Sequence, residues 1–354
     1  MQIKKAEVIP VELTLNESVQ MVDLPLIDHI YAIFIRIETV GGRDAWGCAV
    51  AHPYFTGEKP EDVLKTCQTC ADMVPDLHPI NLEFSLSLLA PIAEESPTAL
   101  CAFDLAFHDL LGLAADMPLY RLLGGYRNRI QTSATVPLAS VPESVEWAVK
   151  RASDGFRMLK VKGGADPDED VHRIRAIHRA LPDHVLRLDL DGGYTVQQAL
   201  DVARALQGRL EMMEQPTAGD DLTGLQQVTF HSSIPVFADQ SITGPASALE
   251  LTSQKAADGV SVKIATCGGI RCARQIDSIA RAGMLSIMVS CVIEPALLTA
   301  AGLSFALSSP NVQYGDLDGH LDLTNDPTLP GFQMEEGWLI ATDTPGLGCN
   351  VNLS

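Results

Sequence analysis

Five charged residues recur along the chain at nearly one interval. Lys162 closes Leu159-Lys160-Val161-Lys162, Asp189 lies in Leu188-Asp189-Leu190-Asp191, and Glu214 ends Met212-Met213-Glu214. Asp239 and Lys263 close Phe237-Ala238-Asp239 and Val260-Ser261-Val262-Lys263. The steps are 27, 25, 25 and 24 residues, one strand–helix unit each time. A lone Asp after a strand commonly caps the next helix, and a lone Lys commonly snorkels to solvent. Five in register instead predict a site built from consecutive strand ends. Three carboxylates with no histidine among them form an all-oxygen set, which selects a hard cation and favours Mg²⁺, one per subunit. Three carboxylates and Mg²⁺ leave one negative charge, and a substrate carboxylate adds another. Lys162 and Lys263 bring the total to zero. That balance suits removal of a proton α to a carboxylate, with the metal stabilising the enediolate and one lysine taking the proton. A second lysine on the opposite face can return it with inversion. Strand alternation puts Lys160 on the face of Lys162, and Asp191 on that of Asp189.

The elements that must position these residues follow from pattern. Short apolar strands alternate with helical segments at 131–138, 158–162, 185–191, 210–214, 236–239, 259–264, 285–289 and 312–315, which implies parallel βαβ units. Eight such strands predict an α/β fold, a (β/α)₈ TIM-type barrel. Ahead of it, Ile3–Thr14 and Ile30–Thr39 alternate as an antiparallel pair. Asn16–Asp28 and Cys48–Thr56 read as loops, and Pro97–Leu113 as an apolar helix. The expected organisation is an α+β capping domain over 1–125, the barrel over 126–320, and a C-terminal segment, 321–354, returning to the cap.

Composition excludes several alternatives. Of 354 residues 46% are apolar, enough for a large core, and the net charge of −20 disfavours nucleic acid or an anionic membrane as partner. Met1–Leu15 has no signal-peptide core, and Glu294 and Pro295 interrupt the most apolar stretch, Gly283–Leu307, so a cytoplasmic protein is expected. Eight scattered cysteines do not form a disulfide framework, and Cys67-x-x-Cys70 lacks the second pair that zinc needs. A metallohydrolase would want histidines at the strand ends, where none stands. A barrel retired to a binding role would be expected to lose one of the five charged residues, and all five are present.

With these residues in view, the chain resembles the enolase superfamily, where lysine bases work beside Mg²⁺, and within it the muconate-lactonizing subgroup that includes dipeptide epimerases. Lys160-x-Lys162, the trio Asp189, Glu214 and Asp239, Lys263 followed by Cys267-Gly268-Gly269, and Pro345-Gly346-Leu347-Gly348 carry the likeness. The resemblance implies a capping domain over a modified barrel, Lys162 and Lys263 as acid/base pair, and Lys160 supporting the substrate carboxylate. It also implies that Asp316 and Asp318, in Gly315-Asp316-Leu317-Asp318-Gly319, bind a dipeptide's α-ammonium group, with Glu294 and Thr135 as further substrate-binding candidates. Asp191 and Gln240 support the metal from behind its ligands, yet both depart from the family, which usually has Asn and Glu there. The leading reading is a racemase or epimerase acting on a small carboxylate, most plausibly a dipeptide. A cycloisomerase or a hydroxyproline-type dehydratase shares the same base pair. Such barrels often assemble as homo-oligomers.

One expectation concerns specificity. No Lys or Arg occurs between Lys5 and Arg36, and the 16–28 loop holds Glu17, Asp23 and Asp28. A second substrate residue bearing a carboxylate would meet like charge there, so an apolar or cationic one is expected, packed on Val19, Met21, Val22 and Leu24.

Overall fold

The structure is a computed structural model, and it describes residues 1–22 and 25–353. Asp23 and Leu24, two residues of the expected specificity loop, lie outside the described residues. The chain opens with an antiparallel sheet of β1 (Ile3–Val19), β2 (Ile27–Thr39) and β3 (Asp44–Ala51). The 19-residue helix Pro97–Ala115 packs across β3, closely enough that a Cβ on Gly47 would overlap the Ala102 carbonyl.

Two loop expectations change here. β1 runs on to Val19 rather than stopping at Thr14, because Leu15–Ser18 bulge out before Val19 pairs with Ile27. Cys48–Ala51, expected as loop, is the second half of β3, paired with β2 from Tyr31↔Ala51 to Phe34↔Cys48. Its end is buried throughout, which removes the apolar–polar alternation that marks a strand in sequence.

β4 (Arg129–Gln131) shares only Gln131 with the first expected barrel strand and stands outside the barrel. The barrel itself is β5 (Ser133–Val136), β6 (Met158–Lys162), β7 (Val185–Asp189), β8 (Met212–Glu214), β9 (Val236–Ala238), β10 (Gly259–Lys263), β11 (Ser286–Ser290) and β12 (Val312–Asp316). These eight strands are parallel neighbours in chain order, and a Thr132–Gly315 bridge brings the last back to the first. Alternation explains each strand: Leu159, Val161, Leu186 and Leu188 are fully buried in the outer core, while Lys160, Lys162, Arg187 and Asp189 take the inner face. Met212, Phe237 and Met288 fill the lower interior, beside the Arg187 guanidinium over the Tyr314 ring.

After the barrel come β13 (Thr328–Leu329), β14 (Phe332–Glu335), β15 (Trp338–Ala341) and β16 (Asn350–Val351). β15 pairs with both β14 and β4. Beyond it the Leu347 amide donates to Asp109 of the cap helix at 2.8 Å. The cap helix also grips the barrel directly. Asp104 accepts from the Ile270 amide at 2.6 Å, at the start of the helix Ile270–Ala282, where a carboxylate meets the helix dipole favourably.

Candidate active site

Strand register sets the first layer of the site. Lys162 stands opposite Asp189, and Asp189 opposite Glu214; one step lower, Thr135 stands opposite Lys160. Asp239 follows β9 directly, and Lys263 ends β10 on the far side of the carboxylates. On the remaining strands Lys263 pairs with Ser290, and Ser290 with Asp316. All these side chains are buried except those of Thr135 and Lys263, which are partly accessible.

Lys160 is the centre of the ion network. Its Nζ lies 2.9 Å from Asp189 Oδ2, 2.8 Å from Glu214 Oε2 and 2.8 Å from Asp316 Oδ2. Lys162 donates to Asp189 and to Asp191, each at 2.8 Å, and Lys263 donates to Asp239. Burial opposes the charge on each lysine, but the facing carboxylates outweigh it and hold all three pKa values above that of a free lysine. Asp189 is correspondingly held below the usual carboxylate range, burial being overcome by Lys160 and Lys162. Glu214 moves the other way. Burial first, then the Asp189 charge, pushes it up to about 7, and its second oxygen, Oε1, is buried without a partner.

These observations test a metal. Six carboxylates, those of Asp189, Asp191, Glu214, Asp239, Asp316 and Asp318, face three lysines, so the pocket is short of positive charge. The unpartnered Glu214 oxygen could take a cation, and the donor set is all oxygen. Among the described residues the three carboxylates do not converge into one coordination shell, and a lysine ammonium group holds one oxygen of each. The residue set fits a hard divalent ion.

The structure also places the candidates that alternation alone could not. Asp191 stands beyond the end of β7 in the left-handed region (φ +45°), so strand parity does not carry it; the turn swings it under Lys162 instead. It does not cap the following helix, since Thr195 does. Gln240 reaches it from the next turn but one, Nε2 donating to Asp191 Oδ1 at 3.1 Å. β12 likewise stops at Asp316, and Asp318 sits past it, yet both line the cavity. Asp316 is fully engaged, accepting from Ser133, Ser290 and Lys160. Asp318 accepts from the Thr135 amide at 2.6 Å, so Thr135 takes part through its backbone. Glu294 does not line the cavity; it is buried behind the wall formed by Cys291–Ile293, and burial pushes its carboxyl well above the usual range.

The cavity, about 330 Å³, extends from the lysines to the cap. Asn16, Glu17, Val19, Met21 and Phe55 close it from the cap side. Sequence reasoning missed a second wall: Trp147, Lys150 and Arg151 from the helix Val141–Ser153. Lys150 pairs with Glu17 at 2.9 Å and Arg151 with Asp322 at 2.8 Å, and both cations lie over the Trp147 ring. Arg43 and Lys59, basic residues of the N-terminal region, do not line it. The only signal in the sequence was a Trp-x-x-Lys-Arg on an amphipathic helix, which an ordinary surface helix also carries.

A barrel with lysines on facing walls and acidic strand ends between them defines the class: residues 143–354 match the enolase C-terminal domain-like family, and the chain belongs to it, in the muconate-lactonizing branch of the enolase superfamily. The chain is 31% identical to a hydrophobic dipeptide epimerase of Enterococcus faecalis, over 98% of this chain and 99% of that one. It is 32% identical to an L-Lys-D/L-Arg epimerase of Methylococcus capsulatus, over 91% and 92%. The solved structure of an E. faecalis dipeptide epimerase with Mg and L-Leu-L-Tyr superposes with a TM-score of 0.95 at 30% identity, covering 99% of each chain. That of an M. capsulatus dipeptide epimerase with Mg and L-Arg-D-Lys gives 0.93 at 30%, covering 99% of this chain and 100% of that one.

Proposed function

We propose that this protein is a Mg²⁺-dependent dipeptide epimerase that inverts the carbon α to the substrate's free carboxylate. The observation that carries this reading is the pair Lys162 and Lys263, which line one cavity from β6 and β10 with the acidic trio between them. Asp189, Glu214 and Asp239 would hold the cation. When bound it supplies positive charge against the substrate carboxylate as the α proton leaves. With the oxygens of Asp189 and Asp239 so committed, Lys162 would keep only Asp191 as acceptor and Lys263 would be released from Asp239, leaving both to face the substrate. One removes the α proton, and the other delivers a proton to the opposite face, which inverts the centre. Lys160, enclosed by three carboxylates, stays charged and holds the substrate carboxylate in place. Asp318, with Asp316 behind it, faces the other end of the cavity and would take the α-ammonium group. On this reading 1–125 cap the mouth, 126–320 carry the chemistry and 321–354 fasten the two together.

The second residue of the substrate, on the same reading, is not acidic. The cationic side chains at the rim, Lys150 and Arg151, each already hold a carboxylate, and Val19, Met21, Phe55 and Trp147 offer apolar surface. An acidic side chain would find no free bidentate partner there. The relatives include L-Ala-D/L-Glu epimerases as well as hydrophobic and cationic dipeptide epimerases, so the rim residues of this chain alone carry the expectation.

Incubating the purified protein with Mg²⁺ and a dipeptide library in D₂O tests the function. One deuterium should enter at the α carbon of the carboxyl-terminal residue of the accepted dipeptides. No exchange with any dipeptide, alongside lactone formation from a muconate or water loss from a hydroxyproline, would replace the epimerase by one of the other reactions of this superfamily.

A further inference from the structure

Below the turn that follows Lys162 lies a buried polar cluster that makes no contact with the cavity. Asp170, on the helix Pro167–Ala180, is 1% exposed, Arg173 on the same helix 2%, and Tyr194, in the turn after β7, 4%. Asp170 Oδ2 accepts from the Gly164 amide at 2.7 Å and from the Tyr194 hydroxyl. Its other oxygen takes Arg173 Nη1, and the same guanidinium donates twice to the Ala139 carbonyl, at 2.9 and 3.2 Å. One carboxylate thereby links the chain leaving β5 at Ala139, the turn leaving β6 at Gly164 and the turn leaving β7 at Tyr194.

The packing around it leaves no slack. A Cβ on Gly163 would fall 2.6 Å from Asp170 Oδ2, and one on Gly164, which has φ +99°, would fall 2.2 Å from the Leu190 carbonyl. The turn after Lys162 therefore lies backbone to backbone on the turn after Asp189, pinned from beneath by a charge. A buried ion pair is an expensive way to gain stability, because desolvation cancels most of its attraction. What a fully bonded buried network does provide is fixed geometry for the groups it supports. Lys263, on the opposite wall, makes no direct contact with this cluster among the described residues.

We propose that Asp170, with Tyr194 and Arg173, is a positioning cluster that fixes where Lys162 meets the substrate and leaves Lys263 untouched. The inference rests on Lys162 and Lys263 serving opposite faces of the α carbon, and it adds an asymmetry between them. The test compares α-proton exchange in D₂O from the two epimers of an accepted dipeptide, with Mg²⁺ present. Lys162→Ala identifies the epimer that depends on Lys162. Tyr194→Phe should slow exchange of that same epimer by about tenfold, the scale on which small misplacements of a catalytic group act. Exchange of the other epimer should stay within about twofold. Asp170→Asn, which keeps the side-chain size and loses the charge, should act in the same direction. Equal slowing of both epimers, or no change in either, overturns the positioning role. Failure of the two-lysine reading itself looks different: Lys162→Ala would then fail to discriminate between the epimers at all.

Discussion

Gln240 donates its side-chain amide to Asp191 at 3.1 Å, so the two positions at which this chain departs from the family pattern are partners in one hydrogen bond. Where the family usually has Asn and Glu, this chain has Asp and Gln. The pair keeps one negative charge and reverses donor and acceptor. The charge now sits beside Lys162, 2.8 Å from Nζ, rather than on the exposed neighbour of Asp239. Measured against the residues the resemblance implies, the negative charge lost at position 240 is regained at position 191.

This compensation predicts non-additivity. Asp191→Asn alone removes a charged acceptor from Lys162 and should lower kcat/KM by about tenfold, the scale of a hydrogen bond to a charged group. Gln240→Glu alone sets two carboxylates against each other and should also lower it. The double variant should recover to within about threefold of the parent protein. Steady-state kinetics on the four proteins decide the matter, and additive losses would refute the pairing.

Removal of the metal should stop turnover. Protein treated with EDTA should be inactive and recover on addition of Mg²⁺. Glu214→Gln should lose about a hundredfold or more in activity and weaken Mg²⁺ binding in a calorimetric titration, since it removes a charged ligand from a small cation. Full activity of that variant in chelator would rule out the assigned site.

The lysine variants should divide the chemistry. Lys162→Ala should abolish α-proton exchange from one epimer and Lys263→Ala from the other, while both retain Mg²⁺ binding. Neither should turn over one epimer into the other. Mass spectrometry of each epimer after incubation in D₂O reads the outcome, and exchange of both epimers by either variant contradicts the two-base mechanism.

Asp318 should impose a pH dependence on binding. Burial, with the charges of Asp316 and Asp322, pushes its carboxyl up to about 6, against the Thr135 amide and Arg151, which lower it. Below that pH the group is neutral and loses its attraction for an ammonium group. KM for a dipeptide should therefore rise as pH falls through 6, with kcat changing less. An N-acylated amino acid, which has no ammonium group, should not follow that rise, and Asp318→Asn should raise KM at neutral pH and flatten the profile.

The rim should discriminate against acidic substrates. Ala-Leu, Ala-Phe and Ala-Lys should each be preferred to Ala-Glu by about tenfold or more in kcat/KM, about 1.4 kcal/mol of transition-state discrimination. Breaking the Glu17–Lys150 pair with Glu17→Gln frees a cation at the rim and should narrow that gap. A preference for Ala-Glu in the parent protein would mean that Lys150 or Arg151 exchanges its carboxylate partner for the substrate.

The barrel and the identity of the charged strand ends were legible from pattern along the chain. Both rest on short-range rules: alternation along a strand fixes which side chains face inward, and one strand–helix unit fixes the interval from Lys162 to Asp189 and onward to Lys263. Alternation stopped where the strands stop. Asp191 and Asp318 reach the cavity by turn geometry, a left-handed residue in one case, and no periodicity encodes that. β3 was hidden because burial on both faces erases the polar half of a strand pattern. Contacts between distant segments were settled only by closure of the barrel and the seating of the cap: Glu17 on Lys150, Arg151 on Asp322, Asp170 under Gly164 and Tyr194. Such pairs join charged residues that local sequence leaves equally fit for solvent, and only packing in three dimensions selects their partners.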